Sequence, residues 1–279
     1  MADLSTHYAY CENLVREQDK DRWLACLFAP EESRRRLFAL YAFNAEIARV
    51  REAVSAPTPG EIRLQWWIDA LQGEARGDVR ANPVTDALID VIRACRLPRQ
   101  AFVDIIEARR FDLYDDPMET LPQLDAYCGH TSSALFRLAA IICADGEDPG
   151  GADAAGYGGL AYALTGLLRA FPRHAAEGRL YIPAHMLEAH GVATNAALMR
   201  PASAGLIATL AELRALAREH LARANAALKH VSSPARVAFV PLALAPLYLD
   251  ALDRHAGEPF AETSVPQWRR QWELWRNKL

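Results

Sequence analysis

Two stretches of this 279-residue chain gather the side chains that could do chemistry, and both are poor in acid. Leu37–Glu52 holds Tyr41, Asn44, Ala48, Arg49, Arg51 and Glu52, while Gly159–Pro183 holds Ala163, Gly166, Arg169, Ala170, Arg173, His174, Arg179 and Tyr181. Positions four apart on a helix share a face. Spacing therefore lines up Tyr41, Asn44, Ala48 and Glu52 on one helix, and Ala163, Gly166, Ala170 and His174 on another. Carboxylates at such positions would converge on a hard cation such as magnesium, which selects oxygen ligands in near-octahedral geometry. Only Glu52 is acidic among these eight positions. Neutral imidazole suits softer ions, so His174 is a poor substitute for a magnesium-binding carboxylate. No metal and no cofactor is expected. Magnesium would return only if Asp112, Asp115 or Asp116 supplied the acids, and they would have to build both halves of the cluster. The other available chemistry is anion binding without metal. Tyr41, Arg49, Arg169, Arg173, Arg179 and Tyr181 form a candidate anion or ligand pocket, in which guanidiniums grip a phosphate through paired hydrogen bonds. Each arginine also has a plainer use, facing solvent or pairing with Glu46, Glu52 or Glu177.

The elements that position these residues read as helices throughout, because apolar residues recur at spacings of three and four and no alternating stretch argues for a strand. Pro30 followed by Glu31 and Glu32 opens a helix expected to run to about Val54 and to end at Pro57, Pro59 and Gly60. A second is expected from about Glu61 to Gly73. Asn82-Pro83, Leu97-Pro98 and Asp116-Pro117 punctuate the following helices, Gly146 to Gly151 is a loop, and Ala202 to His230 is a long alanine-rich helix. Pro172 falls inside the helix that carries Ala170 and His174. It removes one backbone hydrogen bond and crowds the preceding turn, so the helix is expected to kink or end there.

Bulk properties exclude some classes. A formal net charge of −4 and a pI near 6.1 give no reason to expect nucleic-acid binding, which needs a basic face. Met1 to His7 shows no secretory signal pattern, and the apolar run Val237–Leu249 is too short to span a bilayer and is broken by Pro241 and Pro246. Cys11, Cys26, Cys95, Cys128 and Cys143 are scattered without zinc spacing and are expected as buried free thiols in a reducing cytoplasm.

The two stretches carry a resemblance. Gly159-Leu-Ala-Tyr-Ala-Leu-Thr-Gly-Leu-Leu-Arg-Ala-Phe-Pro-Arg-His, continuing through Gly178-Arg179-Leu-Tyr181-Ile-Pro183, resembles the second diagnostic motif of the squalene/phytoene synthase family, with Ala170 and His174 where two metal-binding aspartates stand. Leu37-Phe-Ala-Leu-Tyr-Ala-Phe-Asn-Ala-Glu-Ile-Ala-Arg-Val-Arg-Glu52 resembles the first, with Ala48, Arg49 and Glu52 at three aspartate positions. Glu107 to Asp112, and Tyr127-Cys128 followed by Thr131 to Phe136, also fit the family. The resemblance runs from about Tyr10 to the C-terminus. It implies an all-α, single-domain, isoprenoid-synthase-like bundle around a central cavity, covering 1–279 with an extension at 1–9 and an amphipathic helix at 264–279. Phe43 to Ser55 and Thr58 to Trp67 further resemble the branch that contains the mitochondrial assembly factor of respiratory complex I and its bacterial relatives.

The resemblance therefore implies a non-catalytic protein acting in assembly of a respiratory membrane complex, with a respiratory subunit or assembly intermediate as partner. A lipid or isoprenoid pocket is a retained option. The alternative is an active prenyl transferase joining two prenyl diphosphates head to head. The expected location is cytoplasmic, peripheral to the inner face of the membrane. The tail bears on that location. Trp268, Trp272 and Trp275 fall at i, i+4 and i+7 and share one face of a helix beginning after Pro266, with Arg269, Arg270, Arg276 and Lys278 around it. The favoured expectation is that the indoles close the helical body, and contact with a membrane surface is the other.

Overall fold

The computed structural model describes residues 4–277 and contains no β-strand among them. Among the described residues thirteen α-helices follow one another: α1 Leu4–Gln18, α2 Lys20–Cys26, α3 Glu31–Ala48, α4 Pro57–Gln72, α5 Pro83–Ala94, α6 Arg99–Arg109, α7 Leu121–Cys128, α8 Ala134–Cys143, α9 Ala152–Ala176, α10 Ala184–Ala189, α11 Ala204–Ala227, α12 Leu244–Arg254 and α13 Gln267–Arg276. Short 3-10 turns link several of them, and a π-helical turn, Gly129–Ser133, joins α7 to α8. One core fills the space among α1, α3, α4, α5, α6 and α8 around Phe38, Phe43 and Phe102. A second lies among α7, α9, α10, α11 and α12 around Leu164, Leu187 and Leu206. The facing pair α9 and α11 forms the spine of this second half.

Side-chain caps explain several helix starts. The Asn82 side chain accepts from the Thr85 amide at 2.9 Å with Pro83 in the first turn of α5. Thr120 and Ser203 cap α7 and α11 in the same way. Two boundaries differ from expectation. Pro57 and Pro59 open α4 instead of separating it from α3, because the first turn of a helix has no use for their missing amide hydrogens. The helix α3 stops at Ala48, and Arg51–Ala53 form a 3-10 turn, so Glu52 lies beyond the helix on which its spacing placed it. Residues 4–9, expected as an extension, are helical. They are the first turns of α1, where Tyr8 donates to Asp90 at 2.7 Å and His7 Nδ1 lies 2.9 Å from Asp86.

The effect expected of Pro172 on helix length is overturned, because α9 continues through it to Ala176. Phe171, Pro172 and His174 are all buried, so packing on both sides holds the turn that lacks one backbone bond. The five cysteines are buried free thiols. The helical stretch Ser233–Arg254 that contains the longest apolar run is apolar enough for a span, but two thirds of its window (67%) is buried inside the body.

The tail departs from the favoured expectation. Leu274 is buried against Leu24, Val240, Leu244 and Tyr248, whereas Trp268, Trp272 and Trp275 are 68%, 55% and 54% exposed. Only one face of a short helix can meet the body, and in α13 that face belongs to Arg270 and Leu274. Lys278 lies outside the described residues.

Candidate functional site

Helices α3 and α9 carry the two motifs, and the body brings their ends together. Arg173 on α9 donates to Glu52 at 2.6 Å, and Arg49 donates to the other oxygen of the same carboxylate at 3.2 Å. The single surviving acid is thus held by two guanidiniums, which together keep its carboxyl below the usual range despite the opposing effect of burial. Ala48 and Ala170 contribute methyl groups. Asn44 is buried with its side-chain oxygen lacking a partner. Ala163 and Gly166 are half-buried on α9.

His174 is buried with its ring 4.8 Å from that of Tyr181. Burial pushes its pKa down to about 4, helped by the neighbouring charges of Arg173 and Arg179, so the imidazole is neutral near pH 7. Two alanines, a neutral histidine and a carboxylate already engaged by two arginines do not fit a magnesium cluster. Among the described residues no group of three or more His, Cys, Asp or Glu side chains is placed to hold a metal ion.

Between the motif helices lies a cation supplied by the chain itself. The Arg22 guanidinium is buried, 5.1 Å from the Tyr41 ring of α3 and 4.8 Å from the Tyr162 ring of α9. Asp19 accepts from it at 2.8 Å and also caps α2. A guanidinium between two ring faces gains attraction from both. Beside it, Asp21 accepts from the Tyr248 hydroxyl and from Arg270 at 2.5 Å, and Arg169 sits 3.4 Å over the Tyr248 ring. These residues border a cavity of about 340 Å³ that the inner face of α13 helps to line.

A larger cleft, about 650 Å³, opens at the end of α3. Leu14, Val50, Ile62, Trp66 and Trp67 give it apolar walls, and Glu46, Arg49, Glu52 and Arg63 its polar groups. Burial raises the pKa of Glu46, against the opposing pull of Arg63. This volume lies within the range of small-molecule sites.

The arginines of the candidate pocket therefore do not converge on one point. Arg49 and Arg173 meet at Glu52, Arg179 pairs with Glu177, and Arg169 lies by Asp21. Tyr41 stacks on Arg22, and Tyr181 donates to Asp112 at 2.8 Å. Asp112 is buried under Arg109, Tyr127 and Tyr181, while Asp115 and Asp116 are exposed in the loop that follows, so these acids do not come together. Asp21, Arg22, Tyr162, Tyr248 and Arg270 were invisible to motif spacing. The run Asp19-Lys20-Asp21-Arg22 has the composition of a solvated helix start, and its aromatic and basic partners lie up to 249 residues away. The one available signal was the placement of a single Asp cap beside an Arg, which is too common to single out.

The fold and the two facing motifs define a class. The squalene/phytoene synthase profile matches residues 15–276, and the chain belongs to that family. Human NADH dehydrogenase (ubiquinone) complex I assembly factor 6 is 29% identical over 231 residues, spanning 83% of this chain and 69% of that protein. The presqualene diphosphate synthase of Rhodopseudomonas palustris is 26% identical over 247 residues, covering 88% of this chain and 86% of its own. In three dimensions a dehydrosqualene synthase crystal structure superimposes with a TM-score of 0.83 at 21% identity, covering 99% of this chain and 96% of its own, which supports the isoprenoid-synthase helical fold.

Proposed function

We propose that this protein is a non-catalytic member of the family that serves the assembly of a respiratory membrane complex of the complex I type. The observation that carries the reading is the Arg173–Glu52 contact, 2.6 Å across the space between the motif ends. An ion pair joins α9 to the turn after α3, where a metal cluster would have to join the two motifs, and Arg22 adds a second fixed positive charge between α3 and α9. Ionising a prenyl diphosphate requires carboxylate-held metal at the leaving group, and the chain supplies arginine and alanine instead. The similarity to complex I assembly factor 6 of human, over most of both chains, supports the choice of complex.

On this reading the partner is a respiratory subunit or assembly intermediate. The protein works without a cofactor, on the cytoplasmic side and peripheral to the membrane. The 650 Å³ cleft with its apolar walls serves as a pocket for a lipid or isoprenoid that is bound and not turned over. Deleting the gene in its source organism should remove most assembled complex I from native gels and most NADH:quinone activity from membranes, and the wild-type gene should restore both. Unchanged complex I in the deletion strain would contradict the assembly role.

A further inference from the structure

The outer face of α13 turns away from the body. Arg270 and Leu274, four residues apart, hold the helix to the body through Asp21 and the cluster of Leu24, Leu244 and Tyr248. At about 100° per residue, Trp268, Trp272 and Trp275 point to the opposite side, and all three are more than half exposed. The rings of Trp272 and Trp275 lie 5.2 Å apart, and Trp268 lies one turn before them on the same face. Arg269 and Arg276 flank it and are exposed. The helix carries three arginines, of which Arg270 is engaged by Asp21 and Arg276 donates to Glu273 at 2.6 Å, in a chain whose net charge is −4.

We propose that this face is a bilayer-contact element that seats the protein on an anionic membrane surface, with the three indoles in the headgroup layer and Arg269 and Arg276 at the lipid phosphates. Three features favour that occupant. Indole is apolar over its body and polar at its nitrogen, and it partitions to the boundary between headgroups and acyl chains. Basic residues beside it gain from a negative leaflet. The patch is also small. With exposures of 68%, 55% and 54% and side chains that bury at most about 250 Å² each, it offers roughly 450 Å² per copy, or roughly 900 Å² for two copies face to face. That falls short of the approximately 1,200 Å² at which stable protein interfaces begin. The helix is already docked, so membrane contact carries no cost of folding it on the surface.

This inference deepens the membrane-complex reading and rests on it for its biological purpose, but it is tested on purified protein without complex I, so either can fail alone. The full-length chain is sedimented with vesicles of equal parts phosphatidylglycerol and phosphatidylcholine, and with phosphatidylcholine alone. The wild type should bind the mixed vesicles with a blue shift of its tryptophan emission, and bind neutral vesicles about tenfold more weakly or worse. Replacing Trp268, Trp272 and Trp275 together by serine should weaken binding more than about tenfold, with the thermal midpoint unchanged. If the triple variant folds poorly, Trp268→Ser alone, at the most exposed of the three positions, carries the test. Wild-type protein that stays off the mixed vesicles would overturn the proposal, as would a well-folded triple variant that binds them as tightly. Concentration-dependent self-association abolished by the variant, without vesicle binding, would assign the patch to a second copy and overturn it equally.

Discussion

Replacing Asp112 by alanine should destabilise the protein by about 3–5 kcal/mol, the cost of leaving a buried charge without its partner. Asp112 sits in the turn after α6 and accepts from the hydroxyls of Tyr127 and Tyr181 at 2.8 Å each and from Arg109 at 3.1 Å. Arg109 also donates to the Tyr127 hydroxyl at 2.7 Å. The network joins α6, α7 and the chain after α9. Burial, then the Asp112 charge, push the Tyr181 hydroxyl well above its ordinary pKa, so it remains a donor. Without the carboxylate, two phenols lose their acceptor and Arg109 loses its counter-charge while keeping the Tyr127 hydroxyl. Asp112→Asn keeps an acceptor and should cost roughly half as much. Urea unfolding checks both. A loss under about 1 kcal/mol in the alanine variant would show that water replaces the carboxylate at little cost.

A second large effect is expected at Gly159, where α9 crosses the π-helical turn. A β-carbon there would lie 2.2 Å from Ser133 Cα and 2.3 Å from Ser133 N, a backbone that is itself tied by the Ser133 hydroxyl donating to the Gly156 carbonyl at 2.8 Å. Neither partner can yield by turning a side chain. Gly159→Ala should therefore cost at least about 3 kcal/mol or prevent folding, at the upper end of overpacking penalties. Gly166, two turns along the same helix, meets nothing within 4 Å. Gly166→Ala should stabilise by up to about 1 kcal/mol through helix propensity. Thermal unfolding of the pair separates a steric from a propensity effect, and equal behaviour of the two variants would refute the close crossing.

The helices were legible because burial imposes a spacing of three and four on apolar residues, and because proline and capping residues mark where backbone donors go unsatisfied. Pro57 and Pro59 mislead because the same residue ends one helix and begins another. Periodicity also fixes which side chains share a face without fixing where that face points. In α13 the stripe of tryptophans and the pair Arg270 and Leu274 both repeat at helical spacing, and only the docking of Arg270 on Asp21 decides between them. The candidate site was legible as a set of absent acids. What took their place was not, since Arg22 between Tyr41 and Tyr162 depends on three segments meeting. The pairing of Arg49 and Arg173 with Glu52 was an available option in the sequence, but its geometry needed α3 to end early.

The central claim is that the family's fold is kept here without its metal-dependent chemistry. The most direct measurement is pyrophosphate release by the purified full-length protein supplied with farnesyl diphosphate and magnesium. No release above the protein-free background is predicted, because among the described residues no set of carboxylates converges between α3 and α9. Sustained release that stops on chelation of the magnesium, with a condensed prenyl product, would contradict it.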